Sequence, residues 1–174
     1  LTDEDFYLDN NWHYYTIVND GTIGDSAEVV DTSALYIDGI LTTKSMGKGK
    51  SYPKDEKFFI ATTWDSSGEF FSGLIDGVTV WDKKLSAEEI SSLYNLGEGV
   101  DPTLDTLGYA GSENLIGFWP FNEGADSSVT DFSGSGFDGQ IIGASWVNVD
   151  SKLPPQENVD ALAETGNQKY SSQR

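Results

Sequence analysis

From Phe70 to Gly97 the spacing of apolar positions changes once, and the change marks two elements. Between Gly73 and Trp81 apolar, β-branched or aromatic residues fall on both alternating sets of positions, which predicts a strand buried on both faces. From Leu85 the spacing lengthens, and Ile90, Leu93 and Tyr94 share one helical face. Ser86 is placed as N-cap, Glu89 as its capping-box partner, and Leu85 and Ile90 as a hydrophobic staple. Gly97 stands where a left-handed C-cap is expected. A helix of about ten residues does not persist alone in water, so its apolar face is expected to dock on a sheet. Asp76 interrupts the apolar strand. A carboxylate there caps a strand end, holds a cation or accepts backbone N–H groups, because burying it unpaired costs on the order of several kcal/mol.

The same patterning predicts shorter strands elsewhere. Residues 1–10 are an acidic lead-in, Trp12 to Asn19 a strand, and Asp20 to Ser33 a polar loop. Leu35 to Asp38 forms a further strand and turns at Asp38-Gly39, a pair that accepts positive φ in a tight hairpin. Thr43 to Asp55 reads as loop, and its lysines, Lys44, Lys48, Lys50 and Lys54, either are solvated or grip an acidic sugar. Phe58 to Trp64 is a strand and Asp65 to Gly68 a turn. Residues 101–113 are a polar connector, and 114–149 hold strands at Leu115 to Phe121 and Gln140 to Trp146. The tail, 150–174, is polar and contains Pro154-Pro155; it is either a disordered terminus or an arm that orders on a partner.

Charge narrows the partners. Asp and Glu number 29 against 10 Lys and Arg, a formal net charge of −19 that repels phosphate backbones and anionic lipid. Nucleic acid is therefore not an expected partner, and no apolar run is long enough for a membrane span. With no cysteine, disulfides and thiol chemistry are out of reach. The chain opens on Leu1 rather than Met, as a processed or excised segment would.

Three blocks in the first hundred residues resemble the laminin-G-like, concanavalin-A-like jelly-roll domains. They are the strand Asn11 to Val18, the hairpin Leu35 to Ile40, and the strand-helix pair carrying Gly73, Ile75, Asp76, Val78, Val80, Trp81, Leu85, Ser86, Glu89, Ile90, Leu93 and Tyr94. The resemblance implies an all-β fold, an antiparallel β-sandwich of jelly-roll type with one short helix. Residues 1–100 match the later part of the family pattern. A further segment, Trp119 to Gly124, Asp131 to Gly139 and Gly143 to Val147, resembles the family's opening strands yet follows its closing helix. Those strands are expected to complete this sandwich or a neighbouring copy's, and open sheet edges invite such sharing.

Candidate chemistry follows from both lines. The paired strand carboxylates of a glycanase are missing, His13 is the only histidine, and Gly134-Ser135-Gly136 is flanked by acids rather than built as a phosphate cradle. The sequence is read as non-catalytic. Oxygen donors on a Gly-containing loop suit Ca²⁺, and the resemblance gathers Asp76, Asn122, Glu123, Asp131 and Asp138 as a structural site; the alternative is that they are turn residues satisfying their own loops. Tyr14, Trp64, Phe70 and Phe137 are the candidate ligand-binding aromatics, while Trp12, Trp81, Trp119 and Trp146 are assigned to the core. Two functions stand. One is an extracellular or cell-surface binding and adhesion module recognising carbohydrate or protein; the other is a filament subunit assembled by strand exchange.

Overall fold

The computed structural model describes residues 10–19, 30–48, 57–62, 70–106, 108–148 and 168–171, with backbone alone for 30–32, 44–48 and 168–171. The chain divides into two compact units, the first built from His13–Glu56 and Val80–Ile116, the second from Leu1–Trp12, Lys57–Thr79 and Gly117–Arg174.

In the first unit β1 (Tyr15–Asn19), β2 (Val30–Ile37) and β3 (Ile40–Lys48) form an antiparallel sheet in that order. The Asp38-Gly39 turn forms as expected, with φ of 52° and 76° at its two central residues. Asp38 ties it to the start of β1. Its N–H donates to the Tyr14 carbonyl at 2.9 Å, its Oδ1 accepts the Tyr14 N–H at 2.9 Å, and its Oδ2 lies 2.8 Å from His13 Nδ1. Along β1 exposure alternates, Thr16 and Val18 facing inward and Tyr15 and Ile17 outward. Both hairpin strands outrun their expected ends. Val30 lies inside the expected loop, and β3 continues to Lys48 through residues of weak strand propensity, carried by pairing with β2. Trp12, assigned to the core, is 41% exposed because β1 begins only at Tyr15.

The helix α1 (Ala87–Tyr94) follows its sequence signals closely. Glu89 N–H donates to Ser86 Oγ at 3.2 Å and Ser86 N–H to Glu89 Oε2 at 2.8 Å, a complete capping box contributing about 1 kcal/mol. Lys83 Nζ reaches Glu89 Oε1 at 2.7 Å and the Ala110 carbonyl at 2.9 Å. Burial raises the Glu89 carboxyl pKa, but Lys83 and the Ser86 donors outweigh it and hold the group below its ordinary range. The C-cap is Asn95, with φ of 44° and its N–H on the Ser91 carbonyl, two residues before the expected Gly97. Asparagine tolerates the left-handed region well enough to end the helix first. Leu85, Ile90 and Leu93 pack with Val18, Ala34 and Tyr109 into a buried core, flanked by Tyr14, Tyr36, Trp81 and Val100.

The expected continuous strand from Gly73 to Trp81 is two short, half-buried strands, β4 (Leu74–Ile75) and β5 (Val78–Trp81), parted at Asp76 and Gly77. Gly77 takes a φ of 56°, which takes the backbone out of the extended region. β5 pairs with β6 (Leu115–Trp119). In the second unit β7 (Ser128–Val129) pairs antiparallel with β8 (Gly139–Gln140), and Gly143, with φ of 76°, separates β8 from β9 (Ser145–Asn148) within the expected Gln140–Trp146 strand. β10 (Gln168–Ser171) lies between β4 and β9, parallel to both, so the tail contributes a strand to a sheet of its own chain. Of the expected strand Phe58 to Trp64, the described part makes a single bridge, Thr62 to Phe70, and Trp64 lies outside the described residues. The class is as expected: the described residues form strands, mostly in antiparallel pairs, with one short α-helix among them. No described helix is long and apolar enough to cross a membrane.

Candidate functional site

Among the described residues of the second unit, the loop that follows β7 is the most highly organised polar feature, and it is built around one carboxylate. Asp131 is 8% exposed. Its Oδ1 accepts the N–H groups of Phe118 and Ser133, both at 2.9 Å. Its Oδ2 accepts the Ser133 hydroxyl at 2.9 Å and the Phe137 N–H at 3.0 Å. Burial alone would raise the Asp131 pKa, but the Phe118, Ser133 and Phe137 donors reverse the sign and hold it below the ordinary carboxylate range. Gly134 and Gly136, with φ of 88° and 77°, let the chain curl back so that residues 133 and 137 reach the same carboxylate. Neighbouring acids act likewise. Asp138 Oδ1 accepts the Asp131 N–H at 2.9 Å, and Glu123 Oε1 accepts the Thr130 N–H at 2.8 Å.

This loop holds aromatic rings in water. Phe137 has its N–H fixed by Asp131 and its carbonyl fixed by the Trp119 indole N–H at 2.8 Å, yet the residue is 61% exposed. Phe132 is 56% exposed and meets Phe118 edge to face, with ring centroids 6.5 Å apart. Phe58, 63% exposed, stacks on buried Trp119 at 5.8 Å. Preorganised loop aromatics of this kind are the usual stuff of recognition surfaces.

Of the other expected ligand-binding aromatics, Phe70 belongs to the second unit and Tyr14 to the first, and Trp64 lies outside the described residues. Phe70 is exposed, as is its neighbour Phe71. Tyr14 belongs to the first unit, where it is half-buried against the core with its ring 6.3 Å from that of Tyr94. Tyr15 is the exposed neighbour. Of the four core tryptophans expected, Trp119 is buried and Trp81 and Trp146 are half-buried, Trp146 with its indole N–H on the Asp126 carbonyl at 2.8 Å. Phe132 and Phe58 carried no motif of their own. A phenylalanine between Asp131 and Ser133, in a loop that has no other use for an apolar side chain, was the available signal.

The donor set suits Ca²⁺ poorly. That ion takes about six to eight oxygens, several of them carboxylate. Both Asp131 oxygens face N–H and O–H groups, whose positive ends would repel a cation, and Asp138 and Glu123 each hold a backbone N–H. Asn122, Glu123 and Asp138 are exposed, and Asp76 is half-buried at the break between β4 and β5. Among the described residues no group of three or more acidic or histidine side chains is placed to hold a metal. Adding Ca²⁺ or EDTA is therefore expected to move the melting temperature by no more than about 1 °C. A saturable Ca²⁺-dependent rise larger than that would return these carboxylates to the role of ligands.

Against known proteins, the family model described as the concanavalin A-like lectin/glucanases superfamily matches residues 2–91, just over half of the chain. No curated protein and no solved structure matches it.

Proposed function

The chain belongs to the concanavalin A-like lectin/glucanases superfamily, and from that premise we propose that it is a non-catalytic, extracellular or cell-surface module whose loop 131–138 binds carbohydrate. The observation that carries this is Phe137: a residue whose backbone is pinned on both sides and whose side chain is left in water. Folding gains little from an exposed phenylalanine, whereas a sugar ring gains a flat apolar surface that needs no ordering on binding. Phe132, on the same loop, offers a second ring. Asp131 fixes the loop and makes no contact with ligand.

The test is a glycan array followed by titration calorimetry on any hit. Phe137→Ala and Phe132→Ala are each expected to weaken binding about tenfold while leaving the melting temperature within a few degrees, since both side chains are exposed. Binding that survives the double substitution would overturn the assignment.

A second reading draws on β10. A strand supplied by the tail and inserted between β4 and β9 can be donated to a neighbouring copy as readily as to its own sheet. Self-association through the tail predicts concentration-dependent species in sedimentation that vanish on removing residues 150–174.

A further inference from the structure

Within the first unit an open groove of about 530 Å³ runs between the β2–β3 turn and the C-terminal end of α1, lined by Asp38, Gly39, Ile40, Ser91, Ser92, Tyr94, Asn95 and Leu96. Its rims are aliphatic. Ile40 is 71% exposed on one side and Leu96 91% exposed on the other. Leu96 is also held in the left-handed region, with φ of 56°, directly after Asn95 at 44°. A leucine that is both strained and in water is maintained against its own conformational and hydration preferences, and such outliers concentrate at binding surfaces. The floor is tight as well, because a Cβ on Gly39 would stand 3.2 Å from the Ser91 Cα.

The electrostatics of the groove are one-sided. Among the described residues no Lys or Arg lines it. Asp38 contributes a carboxylate, held in place by the Tyr14 N–H and by His13, which faces it at 2.8 Å. The wall opposite is the negative end of the α1 dipole, whose last turn contains no basic residue. The whole chain carries −19. A second copy of this chain, or any acidic partner, is disfavoured here by like charge.

From these features we propose that the groove is a docking site for a basic segment of a protein partner, one aliphatic side chain seated between Ile40 and Leu96 and a flanking Lys or Arg directed at Asp38 and the helix end. Aliphatic rims favour an aliphatic occupant over a sugar ring, for which flat aromatic surfaces serve better. Charge complementarity sets the basic character. The site is built from residues of the first unit alone and does not depend on carbohydrate binding by the second.

The experiment is an amide NMR titration of the full chain with three probe peptides: acetyl-Lys-Leu-Ile-Lys-amide, acetyl-Glu-Leu-Ile-Glu-amide and acetyl-Lys-Ser-Ser-Lys-amide. Saturable shifts at Gly39, Ser91, Ser92 and Leu96 are expected with the first, and binding weaker by about tenfold with each of the others. Leu96→Gly separates binding from folding. Glycine relieves the left-handed strain, so the variant should melt no lower than the parent, yet bind the first peptide at least about fivefold more weakly. Ile40→Thr, on an exposed rim, should weaken binding in the same way. The proposal is overturned by equal affinity for all three peptides, by no shift with any, by full binding in both variants, or by a neutral methyl glycoside that shifts these amides where the basic peptide does not.

Discussion

Asp131→Ala is expected to destabilise the protein by about 3 kcal/mol, enough to lower its melting temperature by roughly 6–12 °C. The loss comes from what the substitution leaves behind. Three backbone N–H groups, from Phe118, Ser133 and Phe137, and the Ser133 hydroxyl lose a charged acceptor at once. Asp131→Asn retains one acceptor oxygen but replaces the other with a donor that faces donors, so a loss of about 2 kcal/mol is expected. The pH dependence distinguishes this from a mere packing defect. The folded-state pKa of Asp131 is lowered, so its contribution is present above the unfolded carboxylate value of about 4 and is lost as pH falls through the folded value. Thermal melts between pH 7 and pH 2 should show the parent losing an acid-sensitive increment below about pH 4 that Asp131→Asn lacks. Parallel curves for parent and variant would refute the role assigned to the carboxylate.

The role of Asp131 also shows where sequence stops being sufficient. A carboxylate in a Gly-containing loop is what both a Ca²⁺ site and a self-satisfied turn require, and the two differ only in whether backbone N–H groups or other oxygens point at it. That direction depends on φ at Gly134 and Gly136 and on how closely Phe118 of β6 approaches, none of which has a residue signature. The helix was legible in detail because its determinants are local: Ser86, Glu89, Leu85 and Ile90 lie within six positions and each acts on its neighbours. The Asp38-Gly39 turn was legible for the same reason. β3 was obscured because its extension to Lys48 depends on pairing with β2, and the apparent strand from Gly73 to Trp81 was broken by Gly77, whose left-handed φ composition alone does not announce. The groove could not be read at all. It exists only because residues 38–40 and 91–96 are brought together.

Tyr109→Ala is expected to cost the first unit about 4 kcal/mol, and Tyr109→Phe about 1–2 kcal/mol. Tyr109 lies in a segment that composition marks as a polar connector, yet it is 2% exposed and belongs to the core with Leu85, Ile90 and Leu93. Its hydroxyl accepts the Trp81 indole N–H at 2.8 Å and donates to the Pro102 carbonyl at 2.9 Å, so one oxygen joins β5 to the start of the connector. The alanine variant removes the ring, leaves a cavity and orphans both polar partners; the phenylalanine variant orphans the partners alone. The difference between the two variants therefore measures packing, and the phenylalanine loss measures the bridge. Alkaline unfolding supplies a separate readout. Burial, offset in part by the Trp81 hydrogen bond and reinforced by the charges of Asp105 and Glu89, raises the Tyr109 pKa, so the folded protein keeps this phenol neutral where the unfolded chain ionises it. The stability it contributes is complete below about pH 10 and is lost as pH rises through the folded value. Denaturant melts above pH 10 should find Tyr109→Phe less sensitive to added base than the parent, and equal sensitivity in the two proteins would show that the hydroxyl is not held as described.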